Sequence, residues 1–262
     1  MREHLGWIIH ESGPADAAHG VLMIPGGLLP WAFFEDVIAE LRRRGASLRF
    51  VATTIPGHAG TPAPGDLSPA AIAQGGVQLA GDLGCDIVIG HSMGANVAIE
   101  MAASDGFSGS MVLLSPAFSR ADEPGFLWSL DRIGRVPGMG ALVWGALAGM
   151  APSGMKRMIP PEHRGAWTAE LKKNDGRSFR ASVRAYGEYL KERGSLTGVL
   201  CEARVRTWVV FGGPKDTALR DHERQQLKSC PTVELIEWAD AGHNTIGQTA
   251  LLADLILVAS GA

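Results

Sequence analysis

Short runs of branched apolar residues alternate along the first half of the chain with longer stretches whose apolar positions recur every three or four residues. Strands are expected at Trp7 to His10, Val21 to Ile24, Leu48 to Thr53, Asp86 to Ile89 and Met111 to Leu114. Several of these are unbroken apolar runs, as strands covered on both faces are. Phe34 to Arg44 puts Phe34, Val37, Ile38 and Leu41 on one stripe and stops at Gly45, the pattern of a helix with a glycine stop. Its last turn, Arg42 to Arg44, reads as a solvated end where cations suit the helix dipole. The alternation predicts an α/β fold, a mostly parallel central sheet with helices on both faces.

After Ser115-Pro116 the rhythm changes. From Phe118 to about Val199 no comparable strand run occurs, and short helical segments are broken by Gly and Pro. Residues 117–199 therefore read as an inserted helical lid, and residues 1–116 and 200–262 as the core it interrupts. The alternating pattern resumes with a strand at Arg206 to Phe211, a polar helix from Ala218 to Leu227, a strand at Val233 to Glu237 and a final helix from about Ile246 to Val258.

Composition narrows the class. A chain of 262 residues can bury about three quarters of its unfolded surface, enough for a core without staples. The 24 Lys and Arg against 27 Asp and Glu leave a net charge of −3, which favours neither nucleic acid nor an anionic membrane as partner. Cys85, Cys201 and Cys230 are few, odd in number and far apart, so three reduced thiols are expected. The longest apolar runs, Met139 to Met150 and Ala250 to Ala259, fall short of the roughly 20 residues that span a bilayer. With no secretory signal pattern at the start, a cytoplasmic location is expected.

The chemistry is concentrated in a few loops. Gly90-His91-Ser92-Met93-Gly94 lies between the strand ending near Ile89 and a helix running from Met93 to Ala103, the context that a G-x-S-x-G motif requires. Such a turn lifts the serine hydroxyl above the sheet in a strained conformation, and glycine on each flank removes a collision. A serine hydroxyl needs a base, itself oriented by a third group. His243 stands between the last strand and the last helix, and Asp216 follows the preceding strand across a Gly-Pro turn. Asp122, Asp221 and Asp240 are the rival acids, and His58 and His91 the rival histidines. No histidine pair has metal-ligand spacing, and neither metal nor dinucleotide is expected.

Outside the insertion the chain resembles the α/β-hydrolase family. The resemblance rests on Gly90 to Gly94, the Phe211 to Asp216 turn and the Gly242-His243 step, together with Pro25-Gly26-Gly27 and Pro56-Gly57-His58-Ala59-Gly60-Thr61. Two features depart from the family pattern. Pro25 stands where a histidine is often found, and the proline usual after the acid is missing from Thr217 to Asp221. The resemblance implies Ser92 as nucleophile, His243 as base, Asp216 as the acid that orients it, and no cofactor. It further implies that the backbone N–H groups of Gly27 and Met93 receive the oxyanion, with Leu28 in place of Gly27 if the register moves by one. Serine at position 92 argues against the dehalogenase and epoxide hydrolase branches, whose nucleophile is aspartate.

The function implied is cleavage of a carboxylic ester or lactone with a small apolar acyl part. The same triad could instead serve carbon–carbon bond hydrolysis, elimination or perhydrolysis, and a ligand-binding member without catalysis is a further alternative. Leu28, Trp31, Phe118, Trp128 and Trp144 are the expected walls of the substrate pocket, and His58 is expected to shape a loop. The methionines at 139, 150, 155 and 158 are read either as an adaptable surface or as simple core.

Overall fold

The computed structural model describes residues 1–123, 125–135, 140–155, 159, 163–213, 216, 219–243 and 247–261, less the side chains of some residues in the helices between 125 and 166. The chain opens with strands β1 (Arg2–His4), β2 (Trp7–Ser12) and β3 (His19–Ile24), then helix α1 (Glu35–Arg43) and strand β4 (Leu48–Thr54). Helix α2 (Pro69–Asp82), strand β5 (Ile87–His91), helix α3 (Met93–Ala103) and strand β6 (Ser110–Leu114) follow. Helices α4 (Gly125–Gly134), α5 (Gly140–Met155), α6 (Arg164–Leu171), α7 (Gly176–Arg193) and α8 (Leu196–Ala203) come before the next strand. Strand β7 (Thr207–Gly212), helix α9 (Asp221–Lys228), strand β8 (Val233–Trp238) and helix α10 (Thr249–Ser260) complete the order.

The described strands form one sheet in the order β1-β2-β4-β3-β5-β6-β7-β8. β1 and β2 run antiparallel, as do β2 and β4, and every other pairing is parallel. Central strands divide their side chains between two cores with the period of a pleated strand. Leu22, Ile24, Val88, Met111, Leu113, Val209 and Phe211 face the side packed by α2, α3 and α8. Val21, Met23, Ile87, Ile89, Val112, Leu114, Trp208 and Val210 face the side covered by α1 and α10. This two-sided burial explains why those strands read as continuous apolar runs. The strand order reverses between β3 and β5, and at such a switch point the loops beyond the carboxyl ends open a crevice. The loops that carry Gly27 and Ser92 leave the sheet there, side by side, with Ile24 in register with Gly90.

Several expectations shift. The helix expected from Phe34 to Arg44 is found as α1, with a 3-10 turn at Trp31–Phe34 leading into it. Arg43 and Arg44 are not simply solvated, because both pair with Glu40 and Arg44 also reaches Asp254 and the Ala250 carbonyl, tying α1 to α10. Ala218 and Ile246, given as starts of the last two helices, lie outside the described residues. The expectation of three reduced thiols is corrected: Cys201 and Cys230 form a disulfide, with Cα atoms 5.5 Å apart, and Cys85 remains a buried free thiol. The sequence separation of 29 between the two cysteines hides a proximity that arises because α8 packs against α9. Among the described residues no helix is long and apolar enough to cross a membrane.

Candidate active site

Ser92 sits between β5 and α3 with φ 51° and ψ −122°, outside the regions that ordinary residues favour. A non-glycine residue held there costs about 1–3 kcal/mol, which the surroundings must supply. They do so by close packing. A Cβ on Gly90 would lie 2.6 Å from the Ala95 backbone, and one on Gly94 would lie 2.3 Å from the Ile24 carbonyl oxygen, so both flanks must be glycine. The Ser92 N–H donates to the Leu114 carbonyl at 2.9 Å, fixing the elbow to β6.

His243 Nε2 lies 3.1 Å from Ser92 Oγ, and His243 Nδ1 lies 2.9 Å from Asp216 Oδ1. Asp216 Oδ2 accepts from Ser115 Oγ at 2.7 Å and from the Gly212 N–H. With a carboxylate facing it, Nδ1 carries the proton and Nε2 is left as an acceptor toward the serine hydroxyl. The turn after β7 brings Asp216 into place by a close approach of backbones: a Cβ on Gly213 would lie 2.0 Å from the Ala239 carbonyl oxygen. Of the rival acids, Asp122 turns one oxygen to the N–H groups of Phe118 and Ser119. Of the rival histidines, His91 is buried against the Phe33 ring and donates from Nε2 to the His243 carbonyl at 2.8 Å. Burial pushes the His91 imidazole down to about 3, so it supports the His243 backbone as a neutral ring.

The loop after β3 is held from two sides. Leu28 adopts φ 68°, its N–H donates to His58 Nδ1 at 2.9 Å, and its carbonyl accepts from Asn174 Nδ2 at 3.1 Å. Asn174 Oδ1 in turn accepts from the Ala59 N–H at 2.7 Å. His58 is buried, and desolvation pushes it down to about 4. Since Nδ1 is an acceptor, Nε2 bears the proton and donates to Ser182 Oγ, 3.1 Å away on α7. His58→Ala would take the partner from the half-buried Leu28 N–H and empty the buried imidazole site, and we expect a loss of about 2 kcal/mol in chemical denaturation. Sequence reasoning reached His58 through its glycine-rich turn. It missed Asn174 and Ser182, because nothing local marks a polar residue of one segment as the partner of another.

A cavity of about 520 Å³ opens above Ser92. Gly27, Leu28, Met93, Asp216 and His243 border it together with Ser92, so the structure gathers these sequence candidates around one space. Trp31, Phe118, Trp128 and Trp144, expected as pocket walls, are placed elsewhere. Trp31 stacks on His10 at 4.1 Å, and Phe118 is sealed in the core under α3. Trp128 donates to the Arg120 carbonyl with the Arg120 guanidinium over its ring, and Trp144 is buried edge-on to Phe179. Large aromatic rings are drawn to where most area can be covered. The apolar wall is made instead by Leu127, Phe179 and Val183. Met150 is exposed, while Met139, Met158 and the Met155 side chain lie outside the described residues.

A switch-point crevice, a strained serine elbow and a serine–imidazole–carboxylate chain define the class. The family model described as the alpha/beta hydrolase family matches residues 21–255, and the chain belongs to that family. Among solved structures, it is similar to an esterase from Exiguobacterium antarcticum (15% identity, 98% of this chain and 96% of that one, TM-score 0.73). It is also similar to a thermophilic esterase from Thermogutta terrifontis (19% identity, 95% and 91%, TM-score 0.68). An enol-lactonase from Burkholderia xenovorans gives 15% identity, 98% and 96% coverage and a TM-score of 0.72. At such identities the likeness concerns the fold. No curated protein sequence matches the chain.

Proposed function

We propose that this hydrolase cleaves a carboxylic ester or lactone through an acyl-enzyme on Ser92. The observation that carries the reading is the hydrogen-bonded order Ser92 Oγ, His243 Nε2, His243 Nδ1, Asp216 Oδ1 at the mouth of a largely apolar cavity. In this mechanism His243 Nε2 takes the hydroxyl proton as Ser92 Oγ bonds to the carbonyl carbon. Asp216 holds the imidazole and balances the imidazolium that forms. The carbonyl oxygen gains the negative charge, which the N–H groups of Gly27 and Met93 receive; losing one such donor typically costs ~10²-fold or more. Gly27 is preferred to Leu28 because the Leu28 N–H is already given to His58. The C–O bond then breaks, the imidazolium proton passes to the departing alkoxide, and water repeats the cycle to free the acid and Ser92. We assign residues 117–199 as a lid whose helices, with Leu127, Phe179 and Val183 on the cavity wall, favour a small apolar acyl group.

Treatment with a fluorophosphonate, followed by intact mass and peptide mapping, should find one adduct per chain on the peptide that contains Ser92. A panel of p-nitrophenyl esters and lactones should then be turned over. An adduct at another residue, or none, would overturn the assignment. Labelling of Ser92 without turnover of any ester or lactone would move the reading to the other chemistries that this triad serves.

A further inference from the structure

The cavity holds a carboxyl that the triad does not use. Glu123 borders the same space as Ser92 and His243, and Tyr186 Oη lies 2.8 Å from its Oε1. That phenol oxygen also lies 3.0 Å from Asn96 Oδ1. The Asn96 amide cannot be turned over, because its Nδ2 donates to the Ala117 carbonyl at 2.7 Å. Two acceptor oxygens therefore face one phenol oxygen, and a phenol has a single proton to give. Asn96 and Tyr186 are buried and Glu123 is half-buried at the cavity, and a missing hydrogen bond between buried groups costs about 1–3 kcal/mol. Both contacts become hydrogen bonds if the phenol donates to Asn96 Oδ1 and a protonated Glu123 donates from Oε1 to the phenol.

Burial acts in the same direction, pushing the Glu123 carboxyl up, against the opposing pull of Tyr186 and His243. The other titratable groups around this cavity are Asp122, Asp216 and His58. Asp122 is itself pushed up by burial and by Glu223. Tyr186, buried beside Glu123, is raised well above its usual range and stays a neutral phenol.

A protonated Glu123 whose one hydrogen is committed to Tyr186 has acceptor capacity left and no formal charge. We propose that Glu123, set by Tyr186 and Asn96, is a specificity residue that selects substrates carrying an uncharged hydrogen-bond donor, a hydroxyl group, on an otherwise apolar body. A cationic amine gains no counter-charge from a neutral acid, and an unsubstituted chain leaves the acceptor oxygen without a partner. This inference rests on the ester hydrolase reading for its readout, and its test separates the two.

The test compares matched methyl esters of hexanoate, 3-hydroxyhexanoate, 6-hydroxyhexanoate and 6-aminohexanoate, as kcat/KM with wild type and as calorimetric affinity with Ser92→Ala. At least one hydroxy ester should exceed hexanoate by about 5-fold in both measurements, the worth of one neutral hydrogen bond, and should exceed the amino ester. Glu123→Gln should keep that ratio, because the amide can donate to Tyr186 and still offer an oxygen. Glu123→Leu should bring it to about one. A ratio near one in wild type, a preference for the amine, or loss of the ratio in Glu123→Gln would each overturn the proposal. Tighter binding of a hydroxy ester by Ser92→Ala, with no ester hydrolysed by wild type, would sink the hydrolase reading and leave this one standing.

Discussion

Ser92→Ala should lower kcat by about 10⁴-fold or more while leaving the folded protein as stable as the wild type. The expectation follows from what the substitution removes and what it keeps. Alanine takes away the oxygen that lies 3.1 Å from His243 Nε2 and that forms the acyl-enzyme in the proposed mechanism. The elbow is held by Gly90, Gly94 and the Ser92 N–H to Leu114 bond, none of which depends on the hydroxyl. Turnover of the best ester in the panel and thermal melting of the same preparation check both halves. Retention of more than about a hundredth of the rate would mean that another group attacks the substrate.

Asp216→Asn should cost about 10⁴-fold in kcat/KM at neutral pH through a change of tautomer and not of shape. Asp216 Oδ2 receives hydrogens from Ser115 Oγ and Gly212 N–H. The single oxygen of asparagine would be claimed on that side, turning its NH2 toward His243 Nδ1. The imidazole would then accept at Nδ1 and carry its proton at Nε2, where it could no longer take the hydrogen of Ser92. Nitrogen-15 chemical shifts of His243 would report the switch directly, alongside the rate. A normal tautomer with an unaltered rate would remove Asp216 from the mechanism.

How much of this could be read from the residues depended on how local the cause was. Strands β3, β5, β6 and β7 were legible because burial on both faces leaves unbroken apolar runs. α2 was not, since Ala70, Ala71, Ala73, Gly75 and Gly76 make a weak stripe, and its small residues serve a close approach to Trp7 and Met101. In the structure Ser68 caps its start, accepting from the Ala71 N–H ahead of Pro69. β1 is three residues long and exists by pairing with β2 through the Leu5-Gly6 turn, where both residues have positive φ. Ser92, Asp216 and His243 stood out as candidates because each follows a strand within a few residues of a glycine. The cavity walls were not, for the side of a helix that meets the cavity is decided by distant partners. The same is true of the Cys201–Cys230 bridge.

The double grip on Leu28 bears on how this scaffold can be re-engineered. His58 belongs to the loop after β4, whereas Asn174 and Ser182 belong to the segment between β6 and β7. Exchanging that segment for the one in a relative would remove two of the three side chains in the clamp. A chimera built by swapping only this segment would slacken the loop after β3, which carries Gly27 and Leu28. Grafts that carry positions 174 and 182 over unchanged should keep that loop taut.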